Sequence, residues 1–149
     1  MSMEMRPMTV AEFFERPEAN DIIAEYTAES GNPDLGSAMP SQQQYEQMES
    51  SGILSVLGAF EGDSLVGFVS VVVTMYPHFG KLVGSVESIW LRNDKRAGSA
   101  GLRLLKAAFA NAKERGAVGC YLGARHGSRQ HKLYERLFQP MNVLFWKKL

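Results

Sequence analysis

The stretch 53–91 constrains the fold of this chain more than any other part. Apolar, largely β-branched residues fill 53–60, 65–75 (with valines at 71, 72 and 73) and 82–91. Runs of this length and composition, bounded by turn residues, make strands. Their separators are short: Glu61-Gly62-Asp63-Ser64, and the stretch 76–81 with Pro77 and Gly80. Connections this short reverse the chain, so the three strands form an antiparallel meander.

On either side the period becomes helical. Ahead of the meander, Thr9 caps a turn through Val10, Phe13 and Phe14, and a second helix after Pro17 places Ile22, Ile23 and Tyr26 on one face. Residues 31–39 hold Gly, Asn, Pro and Ser and form a loop. Pro40-Ser41 then opens a polar helix over 42–49, expected on the surface. Beyond the meander, Leu102, Leu105, Phe109 and Ala112 recur at helical spacing over 100–115, and Gly116 ends that helix. A short apolar strand at 118–123, a helix at 128–137 and a closing strand at 143–146 complete the order. With no repeat, low-complexity tract or linker, residues 1–149 are expected to form one domain, an α/β layered architecture with a mixed sheet.

Composition narrows the class. A chain of 149 residues buries about two-thirds of its unfolded surface, so it needs no metal or disulfide to fold. Hydrophobic residues are 45% and charged residues 21%, a soluble globular balance. The single cysteine, Cys120, excludes an internal disulfide and multi-cysteine metal sites, and in an apolar strand it is expected to act as a small hydrophobe. His78, His126 and His131 lack metal-ligand spacing, so no metal is expected, although His78, in the turn 76–81, is open to contact with a ligand. No apolar run reaches the ~18 residues of a membrane span, and the first residues lack a secretory pattern. No membrane association and a cytoplasmic location are therefore expected. Formal net charge is zero, yet residues 1–50 carry two basic and ten acidic side chains against fourteen and six in 51–149. That asymmetry marks either opposite charges on two ligands or pairing between the halves.

The chemistry concentrates in 86–105. There a strand, with Glu87, Ile89, Trp90 and Leu91, runs into a loop of basic and tiny residues that opens a helix. The first turn of a helix has unpaired N–H groups and a positive dipole end. Small residues let an anion approach those groups, and Lys95, Arg96 and Arg103 add charge. The alternative is a strand–helix connection whose small residues serve close packing. The loop lacks the Gly-Lys-Ser/Thr of a Walker A motif and does not follow the first strand of a parallel sheet, as a dinucleotide fingerprint would.

Arg96-Ala97-Gly98-Ser99-Ala100-Gly101, followed by Leu104-Leu105, resembles the acetyl-CoA signature of the GNAT N-acetyltransferase superfamily, Arg/Gln-x-x-Gly-x-Gly/Ala with leucines on the next helix. Glu87-Ser88-Ile89-Trp90-Leu91 resembles the family's fourth strand, Leu133-Tyr134-Glu135-Arg136-Leu137 its tyrosine helix, and Phe145-Trp146-Lys147-Lys148-Leu149 its last strand. The run from Gly101 to Ala108 is similar in tone to small phage-encoded members. The likeness covers 53–149 by motif and the first helices by order alone. It implies a mixed, mostly antiparallel sheet of about six strands, flanked by helices and splayed between strands four and five. It also implies acetyl-CoA as cosubstrate, with Arg96, Ala97, Gly98, Ser99, Ala100 and Gly101 cradling the pyrophosphate. Ile89, Trp90 and Leu91 stand where strand four meets the pantetheine arm, which the backbones of Ile89 and Leu91 would bond. Glu87 stands where several members carry the general base and Tyr134 where many carry the general acid. Four positions depart from the pattern. Ser99 replaces a glycine, Asn93 a common proline and Phe138 the glycine after the tyrosine helix, while Arg125-His126-Gly127 stands where an asparagine contact to pantetheine is usual.

These roles suit the chemistry of acyl transfer from a thioester. A free alkylamine has a pKa near ~10.4, so a carboxylate must take its proton before attack. The carbonyl oxygen needs a donor, which strand N–H groups supply, and a phenol of pKa ~10 can protonate the departing sulfur. The expectation is direct transfer of acetyl to a primary amine, of a small molecule or a protein, in a ternary complex. Glu18, Asp21, Glu25 and Glu29, with the loop 31–39, are expected to flank the acceptor site and favour a cation. Ordinary alternatives stand beside each role: Glu87 as an exposed strand residue, Tyr134 as a core aromatic with a wet hydroxyl. For the whole chain the alternatives are a non-catalytic module that binds a CoA derivative or protein partner, and a nucleic-acid binder using the eleven basic residues in 92–136. The absence of an aromatic stacking motif argues against nucleic acid. A homodimer through a sheet edge or the last strand is compatible with the sequence.

Overall fold

The computed structural model describes residues 2–149. Its chain order is β1 (Glu4–Met8), α1 (Val10–Glu15), α2 (Ala19–Ser30), a 3-10 turn at Pro33–Leu35, α3 (Gln42–Ser50), β2 (Leu54–Glu61), β3 (Ser64–Tyr76), β4 (Lys81–Leu91), a 3-10 turn at Asn93–Lys95, α4 (Ala100–Glu114), β5 (Cys120–Tyr121) and α5 (Arg129–Leu137). The meander expected over 53–91 is present, and α1, α3 and α5 start at side-chain caps that the sequence offers. Thr9 accepts from the Glu12 N–H, Ser41 from Gln44 and Ser128 from His131.

The sheet is mixed, in the order β1-β2-β3-β4-β5, with β5 alone running parallel to its neighbour. Strand alternation gives it two apolar faces. Val69, Val71 and Val73 turn toward α4, which presents Leu104, Ala108 and Ala112. Phe68, Leu54 and Val56 turn the other way, into a cluster with Val10 of α1 and Ile22 of α2. Helices thus cover both faces. The buried stripe of α4 is Leu104, Leu105, Ala108 and Ala112, turned slightly from the expected one, and Phe109 meets Phe138 edge-on at 5.7 Å instead. No described helix is long and apolar enough to cross a membrane.

Two strand expectations are corrected, and the described sheet has five strands instead of about six. The first strand, β1, was not anticipated. Its sequence, Glu-Met-Arg-Pro-Met, has poor strand propensity, and Pro7 is tolerated because β1 is an edge. Tertiary contacts hold it: Met3 and Met8 are buried, and the Arg6 guanidinium lies 3.9 Å over the Phe60 ring. The closing strand at 143–146 is absent. Composition alone makes no strand: no strand pairs with this segment, and Val143, Leu144 and Phe145 are exposed. The tail instead reaches Asp34, where Trp146 Nε1 donates at 2.9 Å and Lys148 Nζ sits at 3.5 Å.

Pairing between β4 and β5 consists of Gly84 with Cys120 and Ser85 with Tyr121. Beyond Ser85, that edge of β4 has no strand beside it. This is the splay expected between strands four and five.

Candidate active site

A bulge in β4 organises the site. Val71 pairs with Val86 and Ser70 with Ser88, so Glu87 is the extra residue. The insertion shifts the alternation of the strand by one. Before it, the Gly84 N–H points to the β5 side and bonds Gly119 O at 2.9 Å; after it, the Arg92 N–H points to β3 and bonds Val66 O at 2.8 Å. Ile89 and Leu91 therefore turn their backbone groups to the open edge, and Arg96 Nε donates to Leu91 O at 2.6 Å. Trp90 is set apart from that edge. Its backbone faces β3, and its ring is buried, stacked near Phe68 with Nε1 donating to Glu25 at 3.2 Å.

The bulge also brings Glu87 and Ser88 to one side chain of β3. Ser70 Oγ donates to Glu87 Oε2 at 2.6 Å and lies 2.6 Å from Ser88 Oγ. Because Ser70 has one proton and gives it to the carboxylate, Ser88 is the donor between the serines. Tyr45, from α3, donates to Glu87 Oε1 at 3.0 Å. Burial, then the charge and hydrogen bond of Glu87, pushes the Tyr45 phenol up to about 12, so it remains a neutral donor. Each oxygen of the exposed Glu87 carboxylate thus accepts one hydroxyl and keeps a lone pair for another donor.

Glu87 stands on the wall of a cavity of about 340 Å³ between this face of the sheet and α1, α2 and α3. The α2 helix and the loop do border it, as expected, but through Ile22, Ile23, Tyr26 and Met39 and not through the acidic residues. Glu18 is spent on Arg16 at 3.1 Å and on the Leu65 N–H, Glu25 on Trp90, and Glu29 on Arg96 at 2.9 Å. Asp21 lines a different cavity. His78 lies in the β3–β4 turn against Phe79 and is not among the residues lining this cavity.

The loop 96–101 leaves a run of backbone donors free. Among the described residues, the N–H groups of residues 97–102 donate to nothing; the first helical bond runs from Arg103 N to Ser99 O. Gly98 has φ +93°, a conformation that favours glycine. The positions where side chains would stand at Gly98 and Gly101 are open to 4 Å. Free N–H groups at the start of a helix are suited to the oxygens of an anion. The Arg96 guanidinium, however, bridges Leu91 O and Glu29.

Tyr134, on α5, is buried and packs on Phe138. Gln130 Nε2 donates to its hydroxyl at 2.6 Å, which leaves the phenol proton free to be given elsewhere. Burial raises its pKa and the Gln130 bond opposes the rise. No hydrogen bond among the described residues joins Tyr134 to the Glu87 group. Burial likewise raises the Cys120 thiol, in keeping with a small hydrophobe. Sequence reasoning missed Tyr45, Ser70 and Ser88. A signal existed for Ser70, a lone hydroxyl inside the apolar run 65–73.

Residues 19–138 match the family model described as Acetyltransferase (GNAT) family. The chain belongs to that family. No curated protein matches it in sequence. Among solved structures, a GCN5-related N-acetyltransferase from Ralstonia eutropha JMP134 is 18% identical, with TM-score 0.78 over 99% of each chain. A ribosomal-protein-alanine N-acetyltransferase from Brucella melitensis biovar Abortus 2308 is 21% identical, with TM-score 0.73 over 99% of each chain. An aminoglycoside acetyltransferase from an uncultured soil metagenomic sample, in complex with sisomicin, is 14% identical, with TM-score 0.74 over 99% of this chain and 96% of its own.

Proposed function

We propose that this protein, a single N-acetyltransferase domain over residues 1–149 acting in the cytoplasm, transfers acetyl from acetyl-CoA to a primary amine by direct attack in a ternary complex. One observation carries the reading. A single strand, β4, presents a carboxylate gripped by two hydroxyls to a cavity and, immediately after it, an unpaired edge that leads to six free N–H groups.

When bound, acetyl-CoA supplies an activated thioester carbonyl. The N–H groups of residues 97–102 hold its pyrophosphate, whereas the cationic ends of Lys95 and Arg103 are taken by Glu61 at 2.8 Å and Met3 O at 3.1 Å. The backbones of Ile89 and Leu91 hold the pantetheine arm as an added strand would be held. Glu87 takes the proton of the acceptor ammonium through a free lone pair, while Tyr45 and Ser70 keep the carboxylate in place. Tyr134, kept protonated by burial, gives a proton to the departing sulfur.

The test begins with thermal stability in acetyl-CoA, with ATP and NAD as controls. A ligand at one hundred times its Kd adds about 2.7 kcal/mol, a rise of several degrees. That rise is expected with acetyl-CoA alone, followed by amine acetylation that Glu87→Gln and Tyr134→Phe each slow by about tenfold or more. A selective rise without transfer to any amine would make the protein a non-catalytic binder of CoA.

A further inference from the structure

The cavity at Glu87 has a different chemistry from the one the acidic first half of the chain suggests. Its walls are aromatic and aliphatic: Phe13 and Phe14 from α1, Ile23 and Tyr26 from α2, Phe68 from β3, and Met39 from the loop. The rings form a cluster, with Phe68 centred 5.3 Å from Phe13 and 6.5 Å from Tyr26. Glu87 is the single carboxylate among the lining residues. The remaining polar groups there are hydroxyls, and those of Tyr45, Ser70 and Ser88 are engaged with Glu87 or one another.

Such a wall can neutralise one positive charge. A second ammonium, or a sugar bearing several hydroxyls, would find only the Tyr26 and Thr27 hydroxyls in an otherwise apolar space, which is costly. A ring or branched chain would be attracted by both the area it buries and the edges and faces of the rings. The volume, about 340 Å³, is at the small end for small-molecule sites. We propose, resting on the acetyltransferase reading above, that the acceptor is a monoamine with an apolar, ring-sized body. The ammonium meets Glu87 and the body lies among Phe13, Phe14, Tyr26 and Phe68. Polyamines and aminoglycosides are disfavoured by the same chemistry.

The experiment compares phenethylamine with ethylamine, spermidine and kanamycin as acceptors at saturating acetyl-CoA, and titrates phenethylamine calorimetrically with CoA present. Expected is a kcat/KM for phenethylamine at least about 30-fold above ethylamine, the factor a buried ring supplies, and higher still relative to the two polycations. Ile23→Asp, which sets a second carboxylate on the wall, lowers phenethylamine turnover about tenfold and raises that of spermidine, and Ile23→Asn, polar but uncharged, does not raise that of spermidine. Equal turnover of ethylamine, or preference for spermidine or kanamycin, overturns the inference and leaves the acetyltransferase reading standing. Calorimetric binding of phenethylamine without transfer to any amine supports the cavity chemistry and overturns the acetyltransferase reading. Neither binding nor transfer overturns both.

Discussion

Ser70 is the only polar residue fully buried among the described ones, at 4% exposure, and its position explains why. It occupies a core-facing site on β3 between Phe68 and Val72, where a valine would pack well, but its hydroxyl is within reach of both Glu87 and Ser88. A buried hydroxyl is retained cheaply only when bonded. Tyr45 completes the arrangement from the opposite side. Because its phenol is pushed up to about 12, it stays a donor to Glu87 throughout the range in which amines are deprotonated. Replacing Tyr45 by Phe removes one grip on the carboxylate without disturbing the donor loop. The expected result is a fall in kcat/KM of about 3- to 10-fold with unchanged acetyl-CoA affinity, measured by steady-state kinetics and by titration. The wild-type pH profile should show no fall from this phenol below about pH 10.

At the scale of the element, the junction of β4 with α4 is where local sequence and site coincide. A strand end, a glycine at φ +93° and a helix start follow one another within ten residues, so the proposed cradle needs no distant part of the chain. Gly101 sits in the first turn of α4 with open space where a side chain would stand. Gly101→Val should therefore leave the fold intact, with a melting temperature within about 2 °C of wild type. Its side chain fills the proposed cradle, so acetyl-CoA affinity should drop by about tenfold or more by calorimetry. The loop was legible in the sequence because its free N–H groups belong to consecutive residues. The grip on Glu87 was not, because Tyr45 is 42 residues away and Ser70 17 residues away. Glu87 itself could be singled out only by its likeness to a family strand.

Across the whole molecule, part of the charge asymmetry is resolved by contacts between the halves. Glu29 of α2 binds Arg96, its carbonyl accepts from Arg125, and Asp34 holds Lys148 and Trp146. The Arg96–Glu29 pair matters for the donor, since the same guanidinium also occupies Leu91 O on the open edge. The proposed pantetheine arm competes with Arg96 for Leu91 O, and Glu29 helps to hold the guanidinium there. Half-exposed pairs of this kind are worth about 0.2–1 kcal/mol. Glu29→Gln should accordingly tighten acetyl-CoA binding by about two- to fivefold at low salt, and the gain should shrink as salt rises. Weaker binding would show instead that Arg96 holds the edge open in its present place.

The sequence alone determined what depends on neighbours in the chain: the three-strand meander, the capped helices and the small-residue loop at the start of α4. Each is specified by periodicity or by local backbone groups, which act over a few residues. Only the tertiary structure decided the rest. It made a strand of Glu4–Met8, whose charges and proline argue against one, because β2 offers an edge and Phe60 a ring for Arg6. It left 143–146 unpaired despite its strand composition, with Leu144 94% exposed, because the tail is held at Asp34 by Trp146 and Lys148 and not along a sheet edge. And it turned the acidic residues of α2 to arginines, a tryptophan and another cavity, giving Glu87 an apolar cavity, because an amphipathic helix must bury its apolar face wherever the sheet is uncovered.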